Sequence, residues 1–364
     1  MLNEYKGDTF KKGSMIEQLQ EVQAATGATF ADAGIKIPVS FGNDSVAIQA
    51  TREGVAVCDR SHWGRIRVSD DDRIRFLHNQ STNDLQQLQP GQGCDTVFVT
   101  STARTIDLAT AYVTEDAVLL IVSPSRRQYL IDWLDRYIFF ADRVKLQDIT
   151  NETATFSLIG PKSDTLLEQM GVDTIIGHPY ATHQLVQLGD VEVRVAVGSG
   201  LALPGYTLII PAQSAAAIWS KLAQAGAVPL GERAWEQLRI QQGRPAPDRE
   251  LTEDYNPLEA GLWQTLSFNK GCYIGQETIA RLNTYKGVKQ YLWGIRLSAP
   301  VQPDSVITVG EEKVGKLTSY TDTEQGHFGL GYIRTKAGGA GLKVQVGEAM
   351  GEVIDVSFLT RSPE

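Results

Sequence analysis

Cysteine and histidine are scarce in this chain, and neither is arranged for metal work. Three cysteines (Cys58, Cys94, Cys272) and five histidines are spread over 364 residues. There is no CxxC, no HExxH and no histidine cluster, so no metal site is expected from the spacing. An odd number of dispersed cysteines excludes a disulfide framework and suits a reducing compartment. Positive charge is short as well: 34 Lys and Arg against 43 Asp and Glu give a formal net charge of −9. The balance argues against broad polyanion binding, while a local basic groove stays open because net charge says nothing about clustering; no direct nucleic-acid partner is expected. Long apolar runs are missing too. The longest, such as 117–122, are strand-sized, and the opening Met1-Leu2-Asn3-Glu4-Tyr5-Lys6 has no hydrophobic signal core. Gly198-Ser199-Gly200 lacks the spacing and the lysine of a phosphate loop. The expectation is a soluble, cytoplasmic, monomeric protein without a membrane partner.

What is present suits a packed globular chain of two or three domains: 42% hydrophobic and 21% charged residues. Helices are predicted over 14–27 with Ser14 as N-cap, and from Ser69 through Asp70, Asp71 and Asp72 to about Gln80. Further helices are predicted after Ser123-Pro124 and over 214–225 and 231–242. Strands are predicted at 96–100, 106–113, 117–122, 145–149, 154–159 and 206–210, with a hairpin across Gly189-Asp190. They do not alternate strictly with helices, which argues for α+β lobes over a doubly wound parallel sheet. Residues 243–256, with Pro245 and Pro247 among charges, read as an irregular loop of the kind that carries function. Beyond about Tyr285 the pattern is all-β and glycine-punctuated, which points to a small barrel or sandwich.

Three constellations could carry chemistry. In Lys270-Gly271-Cys272-Tyr273-Ile274-Gly275-Gln276-Glu277, two glycines bracket a thiol ahead of a short predicted helix. That setting suits a nucleophile, a redox thiol or a soft-metal ligand. Read locally, an ordinary cysteine buried at a turn is the simpler account. Asn83-Asp84 offers a carboxylate for a polar heteroaromatic ligand or for base catalysis, or merely an Asx turn ending a helix. Trp235 and Arg239, four apart on one helix face, suit a flat ligand bearing carboxylates, or else a core indole and a surface ion pair. Trp63, in Ser61-His62-Trp63-Gly64, is by itself a core tryptophan.

Taken together and in order, these segments resemble one superfamily, the glycine-cleavage T-proteins, which are folate-dependent aminomethyltransferases. The resemblance runs through Asp59-Arg60-Ser61-His62-Trp63-Gly64, Phe76-Leu77 to Asn83-Asp84-Leu85, Leu158-Ile159-Gly160-Pro161, Leu238-Arg239-Ile240-Gln241-Gln242-Gly243 and Asn256-Pro257-Leu258-Glu259-Ala260-Gly261-Leu262. The run from Lys270 to Glu277 resembles the signature of the YgfZ/IBA-type branch, which is implicated in folate-dependent assembly or repair of iron–sulfur clusters, including those of a tRNA-modifying enzyme. The resemblance implies a three-lobed α+β fold with a central folate pocket. Two interleaved lobes would occupy 1–285 and a C-terminal β-barrel 286–364. It implies tetrahydrofolate or a derivative as cofactor, contacted by Trp63, Asp84, Trp235 and Arg239. It implies chemistry at Asp84, Lys270 and Cys272, and iron–sulfur client enzymes or assembly factors as partners.

Two departures bear on function. Gly200-Leu201-Ala202-Leu203-Pro204-Gly205-Tyr206 keeps the Gly-Tyr of the T-protein stretch that holds the pterin but not its carboxylate. The T-protein Gly-x-x-Asp-Asp turn is reduced to Thr105-Ile106-Asp107. Both favour a folate-binding accessory factor for iron–sulfur enzymes over its alternative, an aminomethyltransferase moving a one-carbon unit to tetrahydrofolate. A folate-responsive scaffold with a structural Cys272 is the third possibility.

Overall fold

The computed structural model describes residues 15–31 and 37–362. Two sheets and a barrel organise it. The first sheet runs Gly93–Val99, Thr105–Val113, Ala117–Val122, Gly64–Ser69, Lys145–Asp148, antiparallel throughout. Helices Arg73–Gln80 and Arg127–Asp135 bring Phe76, Leu77, Leu130 and Trp133 into its core. The second sheet runs His183–Leu188, Val191–Val197, Gly205–Pro211, Thr153–Ile159, Ala56–Asp59, Val228–Leu230. Its last pair is parallel, and helix Ala215–Gln224 packs Trp219 against Phe156 and Phe41.

The chain passes from the second sheet to the first through 60–63 and back again between Lys145–Asp148 and Thr153–Ile159. The two lobes are therefore interleaved, with residues 60–63 at their seam. The C-terminal strands close a six-stranded barrel in the order Gln290–Leu297, Gly326–Arg334, Glu312–Thr323, Val306–Val309, Lys343–Val346, Ala349–Ile354. Alternate residues such as Ile295, Leu297, Ile307, Leu317, Ile333 and Val353 fill it. Among the described residues no helix is long and apolar enough to cross a membrane.

Most expected elements appear near their expected bounds, among them the hairpin, with Gly189 at φ +68°. One start differs. Ser69 ends a strand instead of capping a helix, Asp70 takes a left-handed φ of +74°, and the helix begins at Arg73 after Asp72. Pairing of Ser69 with Ala117 and Lys145 outweighs its local capping preference. Helix Met15–Ala25 matches the first prediction, while its expected N-cap Ser14 lies outside the described residues.

Candidate functional site

The seam residues are fixed from both sides. The Asp59 carboxylate accepts from the Ser61 amide (2.9 Å) and from Gln23 Nε2 (2.8 Å), and the Trp63 amide donates to the Arg60 carbonyl (2.9 Å). The tight turn leaves Arg60 and Trp63 facing Trp235 on helix Glu232–Gln242. The Arg60 guanidinium carbon lies 3.6 Å from the Trp63 ring centre and 3.5 Å from that of Trp235. One cation is thus stacked between two indoles, a contact worth on the order of 2 kcal/mol when desolvated. Arg244, just beyond the left-handed Gly243 that stops the helix, stands 5.2 Å from Trp63 and 5.3 Å from Phe358.

Arg60, Trp63 and Arg244 border a narrow cavity with about 20 Å³ of open space between its walls. The first sheet contributes Thr110, Tyr112 and Ile121, the second Thr155, Ser157 and Thr207, and loops add Tyr180, Gly198 and Gly200. Gly198 has φ +119°, and a Cβ there would meet the Tyr180 ring at 2.4 Å, so that ring closes over bare backbone. None of the lining residues carries a carboxylate. Asp95 stands behind the wall, accepting from Thr110 Oγ1 (2.6 Å) and the Tyr180 hydroxyl (2.8 Å).

Burial pushes Arg60 down to about 9, and Arg244 adds to the effect. Burial, then Arg60 and Arg65, hold His62 at about 3, so its imidazole is neutral. On strand Thr105–Val113 of the first sheet, Asp107 accepts from the Ser123 amide (2.8 Å) and hydroxyl (2.7 Å), and burial raises it to about 6. The arrangement offers hydroxyl and guanidinium donors to an acceptor-rich group, with Arg60 stacked between the indoles. Among the described residues no group of three or more metal-ligating side chains occurs.

Of the residues proposed from sequence, Trp63 and Trp235 come together around Arg60. Arg239 shares Trp235's helix, but its guanidinium turns to the following loop and the barrel. It donates to Glu236 (2.7 and 2.5 Å), Glu250 (3.0 Å), the Arg244 carbonyl (3.1 Å) and Ser319 Oγ (3.0 Å).

Asp84 borders a different, open cleft of about 530 Å³ with Asn83, Trp263, Phe268 and Asn283. Its Oδ1 accepts from the Gln86 amide (3.1 Å) and lies 3.2 Å from His78 Nδ1, out of line for a hydrogen bond. Lys270 Nζ donates to the carbonyls of His78 (2.5 Å), Ser81 (2.7 Å) and Asn83 (2.7 Å). It therefore caps helix Arg73–Gln80 and ties the following loop to it. Burial lowers Lys270 to about 8. Cys272, two residues on, is exposed. Gly275, at φ +82°, precedes helix Gln276–Thr284, and a Cβ there would sit 2.9 Å from the Thr100 carbonyl.

Sequence reasoning missed Arg60, Arg244 and Asp95. Arg60 lies inside a recognisable motif and Arg244 follows a helix-stopping glycine, but nothing local marks either as buried. Only the crossing between sheets brings them to one cavity.

Comparison with known proteins places this geometry in context. A family model described as the GCVT N-terminal domain matches residues 19–270. A candidate chloroplastic transferase of Arabidopsis thaliana is 53% identical over 325 residues, which is 88% of this chain and 75% of that one. An aminomethyltransferase of Geobacillus kaustophilus is 29% identical over 341 residues, 90% of this chain and 93% of the other. The fold matches the crystal structure of the glycine cleavage system aminomethyltransferase T from Bartonella henselae. The TM-score is 0.83 at 18% identity, covering 95% of this chain and 98% of that one.

Proposed function

The chain belongs to the GCVT N-terminal domain family, the superfamily of the aminomethyltransferases, and on that premise we propose that it binds a tetrahydrofolate in the cavity between its sheets. We further propose that it serves iron–sulfur client enzymes, in the manner of the YgfZ/IBA-type branch, as a cytoplasmic monomer.

The chemistry of the lining residues supports the folate reading. Arg60 Nε and Thr155 Oγ1 are buried without a partner, so polar groups await a ligand. The Trp63–Trp235 slot is filled by the Arg60 guanidinium, 3.6 and 3.5 Å from the two ring centres, so the ligand meets the edge of that guanidinium. Arg60, Trp63, Thr155, Ser157 and Thr207 would hold it, with Trp235 backing Arg60. Tetrahydrofolate, when bound, would supply amine nitrogens that carry a one-carbon unit. Arg239 then acts as a positioning residue, since it binds the Arg244 carbonyl and sits on Trp235's helix.

The observation that carries the accessory reading is the carboxylate-free lining of the cavity. Aminomethyl transfer releases ammonia and needs a group to deliver a proton to it. No carboxylic acid among the lining residues is available for that. In the accessory reading the exposed Cys272 meets the client. Lys270 fixes its loop by binding three carbonyls, and Asp84 borders the adjoining cleft.

The aminomethyltransferase reading is favoured by relatives of that name matched across 90% of the chain. A deletion strain, assayed for iron–sulfur enzyme activities and glycine catabolism and complemented with wild type and Cys272→Ala, separates the two. The accessory reading expects wild type alone to restore the iron–sulfur activities. Formation of methylenetetrahydrofolate from lipoyl-bound aminomethyl by the purified protein would sink it.

A further inference from the structure

Two buried cations face the same cavity, near Glu232 and Asp107 but in direct ion-pair contact with neither. Arg60 and Arg244 are each 4% exposed. Among the described residues, neither guanidinium makes a hydrogen bond or an ion pair; their contacts are aromatic faces. Every other arginine buried to this degree is satisfied. Arg65 donates to Ser61, Trp63, Thr150 and Thr153. Arg239 is held by two glutamates. Glu232, whose charge Arg60 feels, instead faces His62 at 3.8 Å. Of the carboxylates near the wall, Asp95 is taken by Thr110 and Tyr180 and Asp107 by the Ser123 amide and hydroxyl.

A desolvated guanidinium without a counter-charge is among the costliest things a fold can contain, and two side by side also repel. Stacking on indoles offsets part of that cost. Such a cost persists at sites shaped for a ligand more than for stability. Hydroxyls of Thr155 and Thr207 lie in the same wall, and Thr155 Oγ1 is buried without a partner.

We propose that this cavity is an oxyanion site, in which Arg60 and Arg244 together receive a carboxylate or phosphate group of a small ligand. The proposal rests on the cavity being the ligand site, and it deepens the folate reading. The stacked guanidinium offers its in-plane N–H groups to the anion, and Arg244 supplies the second charge. For a folate, the group received would be a glutamyl carboxylate. For any other ligand, it would be a free phosphate or carboxylate.

The test is calorimetric titration of the full chain with three probes: 5-formyltetrahydrofolate, neutral 6-methyltetrahydropterin and inorganic phosphate. Wild type should bind the carboxylate-bearing folate at least tenfold more tightly than the neutral pterin, and less tightly as salt rises. Arg60→Gln and Arg244→Gln should each weaken folate at least tenfold and shift the pterin less than twofold. Arg60→Met, which fills the indole slot without charge, should leave the thermal midpoint unchanged or higher. If phosphate binds and is lost in both arginine variants while folate does not bind, the oxyanion site stands and the folate reading falls. Equal binding of folate and neutral pterin by wild type, or absence of both folate and phosphate binding, overturns the proposal, and neither result depends on a variant folding.

Discussion

Arg239 Nη1 and Glu250 Oε2 lie 3.0 Å apart with the carboxylate wholly buried, joining helix Glu232–Gln242 to the loop that follows it. Glu250 also accepts from Thr318 and Ser319 (2.6 Å each) and from the Ala246 amide (3.1 Å). The barrel, the proline-containing loop and the helix of Trp235 therefore meet at one carboxylate. Burial by itself would lower Arg239, but Glu250 and then Glu236 more than offset it, and the guanidinium stays charged. Glu250→Ala removes the buried one of Arg239's two carboxylate partners and the shared acceptor of two hydroxyls. The expected loss is about 3–5 kcal/mol, read from urea denaturation. A loss within about 0.5 kcal/mol would remove this carboxylate from the account of how the barrel is held.

Lys270→Met should open the loop that carries Cys272. It leaves the carbonyls of His78, Ser81 and Asn83 without their charged donor, on the order of 3 kcal/mol in local stability. Hydrogen exchange at the Ile274 amide, which donates to the Asn79 carbonyl (3.1 Å), should accelerate at least tenfold. Unchanged protection there would mean that the lysine does not tether the loop.

The three thiols should differ sharply in the native protein. Cys272 is exposed, whereas burial pushes Cys58 well up and Cys94 up to about 12. Brief iodoacetamide treatment followed by peptide mass spectrometry should modify Cys272 alone. Cys272→Ala should change stability by no more than about 0.5 kcal/mol, because an exposed side chain leaves no cavity. Early labelling of Cys58 would contradict the packing of the second sheet.

Asp107 gives the stability curve a definite slope. Burial raises its folded value to about 6 against 3.8 for the free side chain. The folded state therefore binds the proton more tightly than the unfolded one. The associated stability is fully present below about pH 4 and is lost as pH rises through 6. Asp107→Asn should flatten the urea midpoint between pH 4 and 6 relative to wild type. An identical slope in the two proteins would remove Asp107 as its source.

Much of the fold was legible from residues with strong local signals. Gly189 marks the hairpin, Gly243 stops its helix, and the glycine-punctuated segments after Tyr285 form the barrel. Ser69 was misread because a cap preference of about 1 kcal/mol cannot compete with two neighbouring strands. The site was less legible. Trp63 and Trp235 are 172 positions apart and meet only because the chain crosses sheets between them. Arg60 and Arg244 have the same residue type as the exposed Arg75 and Arg143, and sequence alone gives no burial. The spacing of Trp235 and Arg239 put them on one helix, yet a buried glutamate eleven residues on, Glu250, draws the arginine away from the indole.

Calorimetric titration of the purified chain with 5-formyltetrahydrofolate, repeated with Trp63→Leu and Thr155→Val, tests the central claim most directly. A folate held between the sheets predicts one saturable site per chain, weakened at least tenfold by the indole loss and severalfold by the hydroxyl loss. Absence of saturable binding at millimolar ligand, or binding indifferent to Trp63→Leu in a folded protein, would contradict it.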